Sequence, residues 1–252
     1  MATIPVCLQA YTVRDDSARD FYGTLKQVAG IGYAGVELAG IYDKDPNELK
    51  TVLDDNGLMV PGAHVSLGDL QDVEAAIERY KILGAKYMIV PYLPAELRTS
   101  IDDYKKLAAT LAEVGEKITQ AGIGFAYHNH DFEFEKFGGE VSGFDTLFDT
   151  SDPNFVKVEL DAFWVKKAGL NPVDYIKKYA GRVPLIHVKD MTTDGKFAQV
   201  GEGITDFEPI FTAAELVGGV EYYIVEQDNT YDTPPLEAIA TSFRNLQKMG
   251  KA

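Results

Sequence analysis

Residues 123–134, Ile-Gly-Phe-Ala-Tyr-His-Asn-His-Asp-Phe-Glu-Phe, begin apolar and end dense in groups that bind metals or move protons. His128 and His130 are two of only four histidines in the chain, and on a strand their spacing puts both on one face. Asn129, Asp131 and Glu133 surround them. Three later segments rich in apolar residues each end on an ionisable residue: Val-Lys-Val-Glu-Leu-Asp161, Pro-Leu-Ile-His187 and Tyr-Tyr-Ile-Val-Glu226. Two carboxylates and an imidazole, brought together, suit a borderline divalent ion such as Mn²⁺, Co²⁺ or Zn²⁺, with Mg²⁺ as the harder alternative. A fourth donor would come from the first segment: Glu133 folding back from the loop is the first choice, because the ion suits a third carboxylate, and His128 is the alternative. Glu159, two residues before Asp161, could share its face, but Asp161 holds the segment's end. The local spacing matches no zinc-finger or His-Glu-x-x-His pattern, so the signal depends on how the chain places these ends.

Their placement follows from an alternation repeated eight times. Short apolar runs at 5–10, 34–38, 58–64, 86–91, 123–128, 156–161, 184–188 and 221–226 alternate with amphipathic segments. The latter lie near 17–29, 45–55, 69–83, 99–120, 142–150, 171–180, 206–217 and 234–248. Gly32, Gly57, Gly84, Gly122, Gly181 and Gly218 follow the amphipathic segments, where a helix ends in a left-handed turn. Asn171-Pro172 reads as an N-cap followed by proline at the first helical position. Strand and helix in strict alternation imply parallel strands, and eight units in about 250 residues imply one α/β domain over 1–252, a (β/α)₈ TIM barrel. The competing open sheet lacks support, because the first strand-to-helix turn carries no glycine-rich phosphate loop.

A barrel of this kind carries its chemistry at the C-terminal ends of its strands. Those ends read Gln9 and Tyr11, Glu37, His64, Tyr92, His128 and His130, Asp161, His187, and Glu226. Branched apolar residues suffice to pack a barrel, so polar groups at nearly every end call for a ligand. Trp164 follows the sixth strand and could stack on a sugar face, and Lys189 lies beside the seventh. The 190–205 loop with Gly201-Glu-Gly203 is expected to shape the pocket. No Gly-x-Ser-x-Gly elbow is present, and Cys7 sits in an apolar run, away from any nucleophile's position.

Composition bounds the rest. The formal net charge of −15 opposes nucleic-acid binding, which needs Lys and Arg to displace counterions. No apolar run approaches the roughly 20 residues a bilayer span requires, and no basic-then-apolar leader opens the chain. With a single cysteine, no internal disulfide forms, and a reducing cytoplasm fits. A homo-oligomer is compatible with the sequence, which does not specify one.

The chain resembles the xylose isomerase-like barrel superfamily of sugar isomerases and epimerases. The resemblance rests on Leu8-Gln-Ala-Tyr-Thr-Val-Arg-Asp, Gly35-Val-Glu-Leu-Ala, Gly62-Ala-His, Tyr127-His-Asn-His-Asp-Phe-Glu-Phe, Glu159-Leu-Asp-Ala-Phe-Trp, Ile186-His-Val-Lys-Asp-Met, Val200-Gly-Glu-Gly and Val225-Glu-Gln-Asp. These stretches cover nearly the whole chain. The resemblance implies a divalent metal held by Asp161, His187 and Glu226 with a strand-five group, and a departure at strand five, where His128 stands at the usual glutamate. Inosose dehydratases look similar there. It further implies a sugar or keto-sugar substrate whose C–H proton is removed beside a carbonyl through an enediolate, with Glu226, His128 and His130 moving protons. Gln9, Tyr11, Glu37, His64, Trp164 and Lys189 would contact the substrate. Isomerase or epimerase is the first reading and a dehydrating lyase the alternative. A non-catalytic sugar-binding barrel and a repair endonuclease are the remaining rivals, the latter opposed by the charge and by the small number of histidines.

Overall fold

A computed structural model describes residues 3–252. Eight strands form one parallel sheet: β1 (Val6–Gln9), β2 (Gly35–Glu37), β3 (Gly62–His64), β4 (Tyr87–Val90), β5 (Gly124–His128), β6 (Lys157–Asp161), β7 (Leu185–Val188) and β8 (Tyr222–Val225). Strand β8 pairs with β1, so the sheet curls round on itself. Between β2 and β3 the ring is completed by backbone hydrogen bonds just past β2. The Leu38 N–H donates to the Gly62 carbonyl (3.0 Å), and the His64 N–H donates to the Leu38 carbonyl (2.8 Å). The expected (β/α)₈ barrel is thus the observed fold.

Among the described residues ten α-helices surround it: α1 (Arg14–Arg19), α2 (Phe21–Ile31), α3 (Pro46–Asp55), α4 (Val73–Ile82), α5 (Ile101–Gln120), α6 (Gly143–Thr150), α7 (Ala162–Lys167), α8 (Pro172–Lys178), α9 (Phe207–Ala213) and α10 (Pro235–Lys248). Two differences from the sequence reading have local causes. The helix expected over 17–29 is broken at Asp20, whose carboxylate accepts the Gly23 N–H and starts α2. Helix α7 was not expected; it begins directly at Asp161, which caps it. Asn171 caps α8 as the sequence suggests, with Pro172 in its first turn. After α9 a wider turn over Ala214–Gly218 carries the left-handed position on to Gly219 (φ 77°) rather than Gly218.

Inward positions alternate along each strand. The lower layer inside the barrel is apolar, with Cys7, Tyr87, Ile89, Ala126, Leu185 and Ile224 packed together. Two residues further along the same strands, the side chains become Gln9, His128, His187 and Glu226, all buried. The barrel therefore has a dry floor under a polar mouth. Gly62 makes room for one polar group: a Cβ there would lie 2.5 Å from Glu37 Oε2 and 2.4 Å from Ile89 Cδ1. Among the described residues no helix is long and apolar enough to cross a membrane.

Candidate active site at the barrel mouth

Strand β6 is the axis of the site. Glu159 and Asp161 lie two residues apart on its inward face, both fully buried. The neighbouring strands set a histidine against each: His128 of β5 is in register with Glu159, and His187 of β7 with Asp161. Capping of α7 occupies one Asp161 oxygen, since Oδ1 accepts the Trp164 N–H at 3.0 Å. The other, Oδ2, has no hydrogen-bond partner although it is buried. It lies 3.7 Å from His128 Nε2. His187 Nδ1 lies 3.0 Å from Glu226 Oε2 on β8's end.

His128, Asp161, His187 and Glu226 each offer one donor atom, and these atoms lie within 4.8 Å of one another. Two imidazoles and two carboxylates form a donor set for a borderline divalent ion, and two carboxylates balance its charge. Asp161 Oδ2 makes no hydrogen bond, and the Lys189 ammonium stands off at 3.4 Å, so this desolvated oxygen has room for a closer cationic partner. Burial raises the Asp161 pKa even against the nearby Lys189 and His187 charges. The residues fit a metal.

A second polar layer lies against the first. His128 Nδ1 is 3.0 Å from Glu159 Oε2, and His187 Nε2 is 2.9 Å from Glu37 Oε1 and 3.3 Å from Glu159 Oε2. His64 Nε2 sits 3.1 Å from both Glu37 Oε1 and Glu159 Oε2. The Gln9 amide donates to Glu37 Oε1 at 2.7 Å. Burial would raise Glu37, but the His64 and His187 rings hold it well below the carboxylate range. Burial would likewise lower His64, but Glu37 and Glu159 raise it to about 9.

Lys189 supplies a fixed positive charge. Its ammonium, buried, reaches Glu226 Oε2 (3.0 Å), Asp228 Oδ1 (2.7 Å) and Asp161 Oδ2 (3.4 Å). Burial pulls its pKa down and these three carboxylates push it well up, so it stays charged. Burial would raise Glu226, but Lys189 and His187 hold it ionised. His130 is pushed down to about 3 by burial and by the Lys189 charge, so its ring is neutral, and its Nδ1 has no partner. Above these groups opens a cavity of about 560 Å³, bounded by Tyr11, His64, Tyr92, His128, His130, Lys189, Glu226 and Asp228 among others. That volume suits a small molecule.

The model of the family described as "Xylose isomerase-like TIM barrel" matches residues 25–249. The chain belongs to that family. An inosose dehydratase of Lacticaseibacillus casei is 24% identical over 247 residues, covering 82% of each chain. Among solved structures, a sugar phosphate isomerase/epimerase from Parabacteroides distasonis superposes with a TM-score of 0.83 at 25% identity, covering 98% of this chain and 94% of its own. A structure of the IolI protein with a bound zinc atom gives a TM-score of 0.78 at 18% identity, covering 98% of this chain and 99% of its own.

Within this xylose isomerase-like barrel, the residues singled out from sequence fall into three groups. Asp161, His187, Glu226 and His128 come together around one point. Tyr11, His64, His130 and Lys189 reach the cavity. Glu133, Glu37, Gln9 and Trp164 are placed elsewhere. The chain after β5 turns through a short 3-10 helix (Phe132–Phe134), which buries the Glu133 carboxylate away from the donor cluster. There it accepts the Tyr127 hydroxyl at 2.6 Å and the His130 N–H at 2.8 Å. Glu37 and Gln9 lie in the second polar layer, off the cavity wall. Trp164 packs on His130 with ring centroids 5.2 Å apart, behind the wall. The 190–205 loop, expected to shape the pocket, folds instead on its own Asp190, whose carboxylate accepts the Gly201, Gly203 and Thr205 N–H groups at 2.9, 2.9 and 3.0 Å. Sequence reasoning missed Asp228 as a wall residue. Its signal was present, two residues beyond Glu226 with the same alternation.

Proposed function

We propose that this protein is a divalent-metal-dependent enzyme that removes the proton beside the carbonyl of a ketose, keto-sugar or related polyol. His128, Asp161, His187 and Glu226 hold the ion, His128 taking the strand-five place for which Glu133 was the other candidate. The observation that carries this reading is the convergence of donor atoms from His128, Asp161, His187 and Glu226 within 4.8 Å of one another, with the buried Asp161 Oδ2 making no hydrogen bond. The zinc in the IolI structure supports metal binding by a barrel of this fold. A bound divalent ion would act as a Lewis acid on the carbonyl and make the adjacent C–H more acidic.

The chain's own residues supply the rest. Glu226 is ionised and lines the cavity, so it takes the carbon-bound proton. The Lys189 ammonium faces the oxygen on which negative charge grows. Neutral His130, with a free Nδ1, relays the hydroxyl proton between neighbouring oxygens. When Glu226 returns its proton to the adjacent carbon, the carbonyl and hydroxyl have exchanged places, which is isomerisation.

A second reading, loss of water from a keto-sugar or inosose, is favoured by the inosose dehydratase relatives. In it Asp228 donates the proton to the departing hydroxyl. Burial and the Glu226 charge raise Asp228 to about 6, which suits a donor. Both readings share the first step. Incubation with ketoses, keto-sugars and inososes in D₂O with added Mn²⁺, followed by NMR, separates them. Deuterium at carbon without loss of water identifies the isomerase, and an unsaturated or deoxygenated product identifies the lyase. No exchange with any of the substrates counts against both.

A further inference from the structure

We infer that Glu159, with Glu37, is a positioning residue that fixes which nitrogen each metal-facing histidine presents, so that His128 binds through Nε2 and His187 through Nδ1. The inference rests on the metal site proposed above. It concerns two carboxylates that touch neither the cavity nor the donor point.

The two rings are set at different heights on either side of β6. His128 is in register with Glu159, so its Nδ1 meets Glu159 Oε2 at 3.0 Å and its Nε2 is turned toward Asp161 Oδ2. His187 is in register with Asp161, two residues further along, so it meets the same lower carboxylates with its other nitrogen. Its Nε2 lies 2.9 Å from Glu37 Oε1 and 3.3 Å from Glu159 Oε2, which leaves Nδ1 facing Glu226. An ionised carboxylate only accepts hydrogen bonds, so the nitrogen facing it must carry the hydrogen. A neutral imidazole has one N–H, and the opposite nitrogen then keeps its lone pair. Without an ion, His187 faces carboxylates with both nitrogens; a divalent ion at the donor point would take the Nδ1 lone pair, and the Glu37 and Glu159 carboxylates would hold the remaining hydrogen on Nε2, so the lower layer favours opposite tautomers in the two rings. Glu159 Oε1 and Glu37 Oε2 are buried without partners. Two such oxygens are costly, and their retention makes sense if the carboxylates serve the rings.

The same atoms allow a competing arrangement. His64, His128, Glu159 and His187 also bring donor atoms within 4.8 Å of one another and could take an ion of their own. In that case Glu159 would be a ligand, and His128 and His187 would bind through Nδ1 and Nε2, the nitrogens that face it. Ions in both clusters at once would require each ring to give up both hydrogens, which a tautomer-setting carboxylate does not.

The test uses the full chain stripped of metal and titrated with Zn²⁺ and Co²⁺. In ¹⁵N-histidine spectra of the zinc-loaded protein, His128 should show a protonated Nδ1 and a metal-bound Nε2, and His187 the reverse. Glu159→Leu should weaken Co²⁺ binding by about 10- to 100-fold and alter its visible spectrum. Glu159→Gln, whose amide oxygen still accepts one N–H, should recover most of the affinity. Opposite nitrogens on the metal in the wild-type protein would overturn the inference and move the ion to the Glu159 cluster, whereas unchanged affinity in a folded Glu159→Leu protein would overturn it while leaving the metal site intact. Two ions bound per chain would overturn it in favour of the second site. A wild-type protein that binds neither ion would overturn the metal site and this inference together. The wild-type spectra stand independently of whether the leucine variant folds.

Discussion

The Lys189 ammonium lies 3.0 Å from Glu226 Oε2, the same oxygen that faces His187 Nδ1 at 3.0 Å. A fixed cation thus shares a carboxylate oxygen with the proposed divalent ion. Lysine in this position lowers the negative potential at the donor cluster and so opposes the ion, while offering a hydrogen-bond donor to an oxyanion. The Lys189→Met protein should therefore bind Mn²⁺ as tightly as wild type or more tightly. Its kcat should fall by about 10²- to 10⁴-fold, the range of a lost proton-handling or oxyanion-stabilising group. Calorimetric metal titration beside steady-state kinetics checks both. Weaker metal binding would mean that Lys189 organises the ligands rather than competing with the ion.

Metal dependence itself is tested by removal. Chelation should abolish turnover and Mn²⁺ or Co²⁺ should restore it. His187→Ala and Asp161→Asn should emerge with little metal by elemental analysis, each losing one donor of four. His128→Asn should lose metal too, whereas Glu133→Gln should retain it. Retention in His128→Asn with loss in Glu133→Gln would return the strand-five place to the carboxylate.

Glu133 should act on stability instead. Burial raises its pKa from 4.5 to about 7, against the Tyr127 and His130 hydrogen bonds that favour the charged form. A folded pKa above the unfolded value means that the folded chain holds the proton more tightly. The associated stabilisation is complete below about pH 4.5 and is lost as pH rises through 7. At 1.36 kcal/mol per unit this is worth roughly 3 kcal/mol. Thermal melts of the wild-type protein should show Tm declining between pH 5 and 7 relative to Glu133→Gln, which has no such proton to lose. Parallel Tm curves would refute a raised Glu133 pKa.

How far the sequence could be read is clear from these same residues. The eight-fold alternation and the polar residues at strand ends follow from periodicity, which encodes the side chains' direction, and Asp161, His187 and Glu226 were legible for that reason. The layer in which a side chain ends was not legible. Glu159 and Asp161 share a face, and only the register of β5 and β7 against β6 shows that one meets His128 Nδ1 and the other the donor point. Glu133 misled because it depended on a loop: a 3-10 turn, not a strand, decides where it points. Trp164 was read as an open platform because α7 was not foreseen, and the cap that starts α7 is the same Asp161 assigned to the metal.

The last prediction concerns His130. An ordinary histidine acting in its neutral form would cause activity to fall as pH drops through about 6.5, the expectation from sequence alone. The structure alters that expectation. Burial and the Lys189 ammonium push His130 down to about 3, with Glu226 opposing only in part. A depressed histidine pKa means that the neutral form persists down to that value. With saturating metal, kcat should therefore show no His130-dependent fall between pH 7.5 and 5, whereas His130→Gln should lower kcat by about 10-fold or more across that whole range. If Lys189→Met is built alongside, the positive charge that helps hold His130 neutral is gone, and the acid limb should move toward higher pH. A wild-type limb near 6.5 that disappears in His130→Gln would show that the ring titrates as an exposed histidine does, and that it does not work as the neutral relay proposed for it.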